Sequence, residues 1–136
     1  MENLLHSDIT GEIIKAFYKV YNTLGYGFLE KVYEKAVAFE LEENGFQVQK
    51  QLPVKVYYNG KEVGEYFADL VVEKKVILEI KTAAAIDKAH ESQLLNYLKA
   101  TKIEVGMILN FGQKAEYRRK VFANQKKNLI GNLLEN

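Results

Sequence analysis

Cysteine is absent from this chain, and proline occurs only once, as Pro53. Without cysteine there is no disulfide framework and no thiolate metal site, and a reducing compartment is permitted. The sequence also lacks an apolar run of membrane-spanning length, and Met1-Glu2-Asn3 does not begin a basic or apolar leader. We therefore expect a cytoplasmic protein that has no membrane partner.

An excess of one charge is lacking as well, because 19 basic residues face 18 acidic ones for a net charge of +1. This balance excludes nucleic-acid binding through bulk positive charge, so such binding would need local patches. Two short basic runs toward the C-terminus could supply them, and they fit a solvated face equally well: Arg118-Arg119-Lys120 and Lys126-Lys127.

The chain contains 136 residues, of which 48% are hydrophobic, and this suits one domain spanning residues 1–136. Helical periodicity predicts three helices and allows a fourth in the tail: Ser7 or Asp8 to Leu24, a second one ending near Asn44, Asp87 to Ala100, and Asn124 to Leu134. Extended segments are predicted between and after them: Phe46 to Gln51, Val54 to Tyr58, Glu65 to Val72, Val76 to Lys81, Val105 to Asn110, and Tyr117 to Phe122.

The predicted order is two helices, a three-strand meander, a helix and at least one further strand. This order indicates a mixed central sheet of about four or five strands flanked by helices, which can be labelled α/β or α+β. Asn59-Gly60 is a strong signal for a tight turn between strands. The segment VILEIK is the most apolar strand and is therefore expected at the centre of the sheet.

Two charged residues interrupt this apolar strand near its end. Glu79 and Lys81 are two residues apart, so their side chains project from the same face. If the preceding loop is Glu73-Lys74-Lys75, an antiparallel hairpin places Asp69 of the neighbouring strand opposite Glu79 on that face. A two-residue loop would place the two acids on opposite faces.

Two carboxylates and an ammonium group at one place indicate metal chemistry. Nearby like charges raise each other's pKa, and a bound dication relieves their repulsion. Oxygen ligands without cysteine favour Mg²⁺ or Mn²⁺. On spacing alone, a salt bridge at the strand end remains the alternative for Glu79 and Lys81.

Asp69 followed by Glu79-Ile80-Lys81 resembles the active-site signature of the PD-(D/E)xK nuclease superfamily, with Ala68 in place of the proline. The segment GFLEKVY, from Gly27 to Tyr33, resembles the motif that names the GxxExxY proteins of that superfamily. HESQLLNYLKAT and ILNFG are also similar to that family, and Gln93 with Tyr97 resembles the Q-x-x-x-Y motif of RecB-like nucleases. The resemblance covers about Ile9 to Val121.

The resemblance implies a restriction endonuclease-like core and a nuclease that cleaves DNA, in preference to RNA, with Mg²⁺ or Mn²⁺. It implies these site roles: Asp69, Glu79 and the Ile80 carbonyl as metal ligands, Glu30 joining them directly or through water, Lys81 positioning the attacking water, Gln93 assisting, and Gly27, Tyr33 and Tyr97 supporting. A homodimer or a protein partner could help to grip the substrate.

Two alternatives remain at this point. The chain could be a catalytically silent nuclease fold that serves as a nucleic-acid-binding or protein-interaction module, because a fold does not determine function. It could also act on nucleotides rather than polymers, although the sequence contains no G-x-x-x-x-G-K-[ST] phosphate-binding loop.

Overall fold

The computed structural model describes residues 4–127. Helices and strands follow one another in this order: α1 (Ser7–Leu24), α2 (Glu30–Glu43), β1 (Val48–Tyr58), β2 (Lys61–Val72), β3 (Val76–Lys81), α3 (Lys88–Lys99), β4 (Val105–Phe111), β5 (Ala115–Val121) and α4 (Asn124–Lys127). The predicted final helix is therefore described only as far as Lys127, and its remainder lies outside the described residues. No helix within residues 4–127 is both long and apolar enough to cross a membrane.

The described strands form one five-stranded sheet in the order β1-β2-β3-β4-β5. The pair β3–β4 is parallel and the other neighbours are antiparallel. Helix α3 connects the two parallel strands, as such a crossover requires. The predicted mixed α/β or α+β sheet is confirmed, with the VILEIK strand at its centre.

The sheet separates two apolar clusters. One lies against α1 and α2 and includes Ile13, Phe17 and Tyr33, all fully buried. The other lies against α3 and includes Leu94 and Leu98. Strands β3 and β4 contribute to both clusters, which explains why they are apolar on both faces.

The two extended segments predicted on either side of Pro53 belong to one strand. β1 runs continuously through Pro53, which pairs with Phe67. β1 lies at the sheet edge, where a residue without an N–H group is tolerated. The backbone irregularity lies instead at Gln51, whose φ of 54° is left-handed.

The turns of the first two hairpins agree with the sequence predictions. Asn59 and Gly60 have φ values of 50° and 82° and join Tyr58 to its partner Lys61, as a two-residue turn with positive φ requires. In the next hairpin Val72 pairs with Val76 and Leu70 with Leu78. The three-residue loop is thereby confirmed, and its register places Asp69 opposite Glu79.

Candidate active site

The carboxylates of Asp69 and Glu79 link β2 to β3 at the point where the ladder of backbone pairs ends. The backbone N–H of Asp69 donates to Glu79 Oε2 at 2.9 Å, and the N–H of Ile80 donates to Asp69 Oδ2 at 2.8 Å. Each acid therefore accepts a hydrogen bond from the opposite strand. The predicted cross-strand contact of the two acids is confirmed. Their side-chain hydrogen bonds take the place of the backbone pairing of β2 with β3, which ends at Leu70 and Leu78.

The alternation of side chains is interrupted at the same level of the sheet. Ala68 packs in the α3 cluster, whereas Leu70 packs in the α1/α2 cluster, although residues two apart on a regular strand share a face. On β1, Gln51 lies between the Lys50–Leu70 and Leu52–Ala68 pairs, where no pair joins it to Asp69. Asp69 thus occupies an irregular position, which aims its side chain along the end of β3.

Lys81 continues the polar face beyond Glu79. Its Nζ donates to Gln93 Oε1 of α3 at 3.0 Å. A glutamine acceptor keeps the lysine in place without neutralising it, because the amide carries no charge. The charge of Lys81 lowers the pKa of both Asp69 and Glu79, which places the ammonium group within electrostatic reach of the pair.

Burial dominates the electrostatics of the two acids. It raises the pKa of Asp69 to about 6, against the hydrogen bond from the Ile80 N–H, and nearby Glu34 and Glu30 raise it further. Burial likewise raises the pKa of Glu79 to about 8, with the Asp69 charge as the next cause. Such pairs of perturbed carboxyl groups in one place are typical of functional sites.

The predicted site residues on α2 lie at different depths. Glu30 is the first residue of the helix and is exposed, and it acts on Asp69 only through its charge. Tyr33 is fully buried and stacks on Phe111 with ring centroids 4.2 Å apart. Its hydroxyl donates to the Gly25 carbonyl at 2.7 Å and accepts from the Phe28 N–H at 3.2 Å. Tyr33 therefore holds the loop that leads into α2.

Gly27 and Tyr97 have separate structural tasks. Gly27 lies in that loop with a φ of 109°, a conformation that side chains rarely adopt. Tyr97 is buried on α3, and burial followed by the charges of Glu79 and Asp69 raises its pKa to about 12. Its hydroxyl therefore stays protonated beside the two acids and is a neutral neighbour to them.

Glu34 lies beside the two acids, although the sequence did not predict it as a site residue. Its side chain is buried, accepts a hydrogen bond from Gln51 Nε2 at 2.9 Å, and forms an ion pair with Lys31 at 3.2 Å. It raises the pKa of both acids of the pair, whereas Glu30 acts on Asp69. The available signal was its spacing of four from Glu30, which places the two residues on the same helix face.

Asn110 was also missed, and it organises the loop after Lys81. It is fully buried at the end of β4 and pairs with Lys81 in the parallel ladder. Its side-chain amide accepts from the Ala83 N–H at 2.9 Å and donates to the Ala83 carbonyl at 3.0 Å. The signal in the sequence was a lone amide in an otherwise apolar strand.

The donor atoms at the pair suit a hard divalent cation. Two carboxylates and the adjacent Ile80 carbonyl supply only oxygen, which Mg²⁺ and Mn²⁺ prefer. Within residues 4–127, no group of three or more His, Cys, Asp or Glu side chains is placed to hold a metal ion. This is compatible with Mg²⁺, which is commonly held by one or two carboxylates and completes its shell with water and substrate oxygens.

Comparison with known proteins supports the same family. The chain resembles the crystal structure of SSO0001 with a TM-score of 0.54 and 16% sequence identity, over 93% of this chain and 68% of that one. At this identity the likeness concerns the fold alone. No curated protein matches significantly. The sequence profile described as the PD-(D/E)XK nuclease superfamily matches residues 7–120, which include the whole candidate site, and the chain belongs to that superfamily.

Proposed function

We propose that this protein is a metal-dependent nuclease that hydrolyses phosphodiester bonds, with DNA as the preferred polymer. The observation that carries the proposal is the arrangement at the end of β3. Asp69 and Glu79 meet across the β2–β3 strands, and Lys81 follows on the same strand, held by Gln93 at 3.0 Å. A carboxylate pair beside a positioned ammonium group is suited to a phosphate and a divalent cation.

In the proposed mechanism, Asp69, Glu79 and the Ile80 carbonyl would hold Mg²⁺ or Mn²⁺. Glu30 and Glu34 would add negative charge from α2. A cation bound there supplies Lewis-acid polarisation of the phosphoryl oxygen and a lower pKa for water. Burial first, and nearby negative charge after it, raises the pKa of both acids when no cation is bound. Cation binding would favour their ionised forms.

Lys81 is proposed to orient the attacking water and to stabilise negative charge that develops on the phosphate. Gln93 limits the positions that the lysine side chain can adopt, so the ammonium group is already in place when substrate arrives. Gly27, Glu30 and Tyr33 support a further assignment to the GxxExxY group. Gly27 and Tyr33 shape the loop that leads into α2, and Glu30 at the start of α2 acts on Asp69 through its charge.

Cleavage assays with a matched pair of lysine variants test this function. Purified protein is incubated with labelled single-stranded, double-stranded and branched DNA and with RNA, in Mg²⁺, Mn²⁺ or EDTA. We expect metal-dependent cleavage that Lys81→Ala lowers at least roughly 100-fold, because a charge-stabilising group is lost. Lys75→Ala removes an exposed lysine from the same hairpin and should cleave like the wild type.

Two outcomes would oppose the proposal. Cleavage that persists in EDTA, or equal cleavage by Lys81→Ala and wild type, would point to a contaminating enzyme or to another mechanism. Calorimetric titration with Mn²⁺ tests the ligands separately, since Asp69→Ala should bind the cation more weakly. Nucleic-acid binding without any cleavage would favour the catalytically silent binding module.

A further inference from the structure

A groove of about 570 Å³ lies between β2 and α3, beside the candidate site. Its walls include Tyr66 from β2 and Ser92, Gln93, Asn96 and Tyr97 from α3. Aromatic and amide side chains thus face each other across one opening. The volume lies within the range of small-ligand sites in proteins.

Tyr66 presents an aromatic face to this groove. Its side chain is 52% exposed, and its ring lies 6.0 Å from that of Tyr97 with a tilt of 43°. Gly64 lies next to this ring, since a Cβ atom added at Gly64 would lie 3.4 Å from Tyr66 Cε2, an ordinary contact distance. Tyr66 thus combines a half-exposed ring with an aromatic neighbour, and an exposed aromatic ring can serve as a stacking platform for a planar group.

The opposite wall offers polar groups at helical spacing. Ser92 and Asn96 are four residues apart on α3 and are both exposed. Their hydroxyl and amide groups can donate and accept hydrogen bonds, which is the chemistry that reads the edge of a nucleobase. A planar group that occupies the groove would lie among Tyr66 and these two residues.

The groove is continuous with the candidate site through Gln93. This residue lines the groove, and its Oε1 accepts the hydrogen bond from Lys81 Nζ at 3.0 Å. A phosphate that contacts Lys81 is therefore one side chain away from the opening. The base attached to that phosphate has a short path into the groove.

We propose that this groove is a subsite for one unpaired nucleobase, stacked on Tyr66 and read by Ser92 and Asn96. The inference rests on the proposed nuclease function and deepens it, because it names single-stranded nucleic acid as the substrate class at the scissile position. A base within a duplex is covered by its neighbours on both faces and must leave the stack to enter.

Direct binding measurements in EDTA separate this subsite from catalysis. Fluorescence anisotropy compares a labelled single strand with a duplex of the same sequence. We expect the wild type to prefer the single strand and Tyr66→Ala to weaken its binding roughly 10-fold, with little change for the duplex. Tyr66→Phe keeps the ring and should bind like the wild type.

Tyr58→Ala is the matched control, because it removes a 67% exposed tyrosine from the end of β1, outside the groove. It should leave single-strand binding unchanged. Thermal melting verifies that each variant is folded. A 2-aminopurine base in the single strand should change its fluorescence on wild type and Tyr66→Phe, and less on Tyr66→Ala.

The proposal is overturned if the wild type does not bind the single strand, or if Tyr66→Ala binds it as tightly as the wild type. It is also overturned if single strand and duplex lose affinity equally. If cleavage requires Lys81 but is unchanged in Tyr66→Ala, the proposed subsite is wrong and the proposed nuclease function stands. If single-strand binding requires Tyr66 but no cleavage is observed, the proposed subsite stands and the proposed nuclease function is wrong.

Discussion

Opposing influences act on each acid of the candidate site. Burial raises the pKa of Asp69 and Glu79, whereas hydrogen bonds from backbone N–H groups and the charge of Lys81 lower it. Each carboxylate is thus partly compensated by the opposite strand. The remaining excess of negative charge, to which Glu34 contributes, is what a dication would neutralise.

At the residue scale, Glu30 and Glu34 of α2 should differ in which pKa values they raise. Glu34→Gln removes a charge that acts on both acids, so we expect the pKa of Asp69 and that of Glu79 to fall, by roughly half a pH unit each. Glu30→Gln should lower chiefly the pKa of Asp69. Carboxyl NMR titration in EDTA measures both values.

The control for this titration is Glu40→Gln, on the same helix. Glu40 forms its ion pair with Lys19 of α1 at 2.9 Å. Replacement of Glu40 should leave the pKa values of Asp69 and Glu79 unchanged. If Glu30→Gln shifted the pKa of Glu79 as strongly as Glu34→Gln does, the assignment of Glu34 as the helix carboxylate that acts on both acids would be wrong.

At the scale of elements, the segment after β3 is held against the end of β4. The Asn110 amide makes two hydrogen bonds to Ala83, at 2.9 and 3.0 Å, and Gly112 lies close to the same peptide. Because Ala83 follows Lys81 by two residues, this contact also limits movement at the end of the β3 strand. The face of β3 that carries Glu79 and Lys81 is thus supported by a neighbouring strand as well as by its own loop.

Two glycines provide a matched test of that contact. A Cβ atom at Gly112 would lie 2.4 Å from the Ala83 carbonyl oxygen, whereas one at Gly11 in α1 meets nothing within 4 Å. We expect Gly112→Ala to lower the free energy of unfolding by roughly 1–3 kcal/mol through overpacking. Gly11→Ala should raise it by about 0.5–1 kcal/mol, because alanine favours the helix.

Urea unfolding of both variants measures these changes. If Gly112→Ala is as stable as the wild type, the loop after β3 can move away from residue 112 without lowering the free energy of unfolding. If that variant also cleaved normally, the proposed support of Lys81 by this contact would be rejected.

At the scale of the whole molecule, the buried acids link folding to pH. In the folded protein their pKa values are about 6 and about 8, against 3.8 and 4.5 for the unperturbed groups. The folded state therefore binds more protons than the unfolded state between about pH 4 and pH 8. Stability from this pair is fully present below pH 4 and is lost as the pH rises.

Glu79→Gln should remove most of this loss, since the amide cannot ionise. Relative to wild type, we expect the variant to gain roughly 1–3 kcal/mol in free energy of unfolding between pH 4.5 and pH 8 in EDTA. Denaturant unfolding at several pH values measures the difference. Glu65→Gln removes an exposed acid from β2 and should follow the wild type. If the free energy of unfolding changed with pH in the same way for Glu79→Gln and wild type, ionisation of Glu79 would not be linked to folding.

The sequence alone was sufficient for the part of the site that depends on local rules. Side-chain alternation places Glu79 and Lys81 together, and the length of the Glu73-Lys74-Lys75 loop determines that Asp69 faces Glu79. The turn at Asn59-Gly60 follows from the same kind of rule, because few residues accept positive φ. These features need only the covalent chain and its nearest partner strand.

Only the tertiary structure decided which further residues join the site. Glu34, Gln51 and Asn110 come from α2, β1 and β4, and their contacts depend on how these elements pack rather than on spacing along the chain. The groove at Tyr66 likewise forms only where β2 meets α3. The sequence determined a carboxylate pair and a lysine on one strand face, because alternation and turn length are local. Packing determined which further charges, hydrogen bonds and groove surround them, because these features arise between segments distant in sequence.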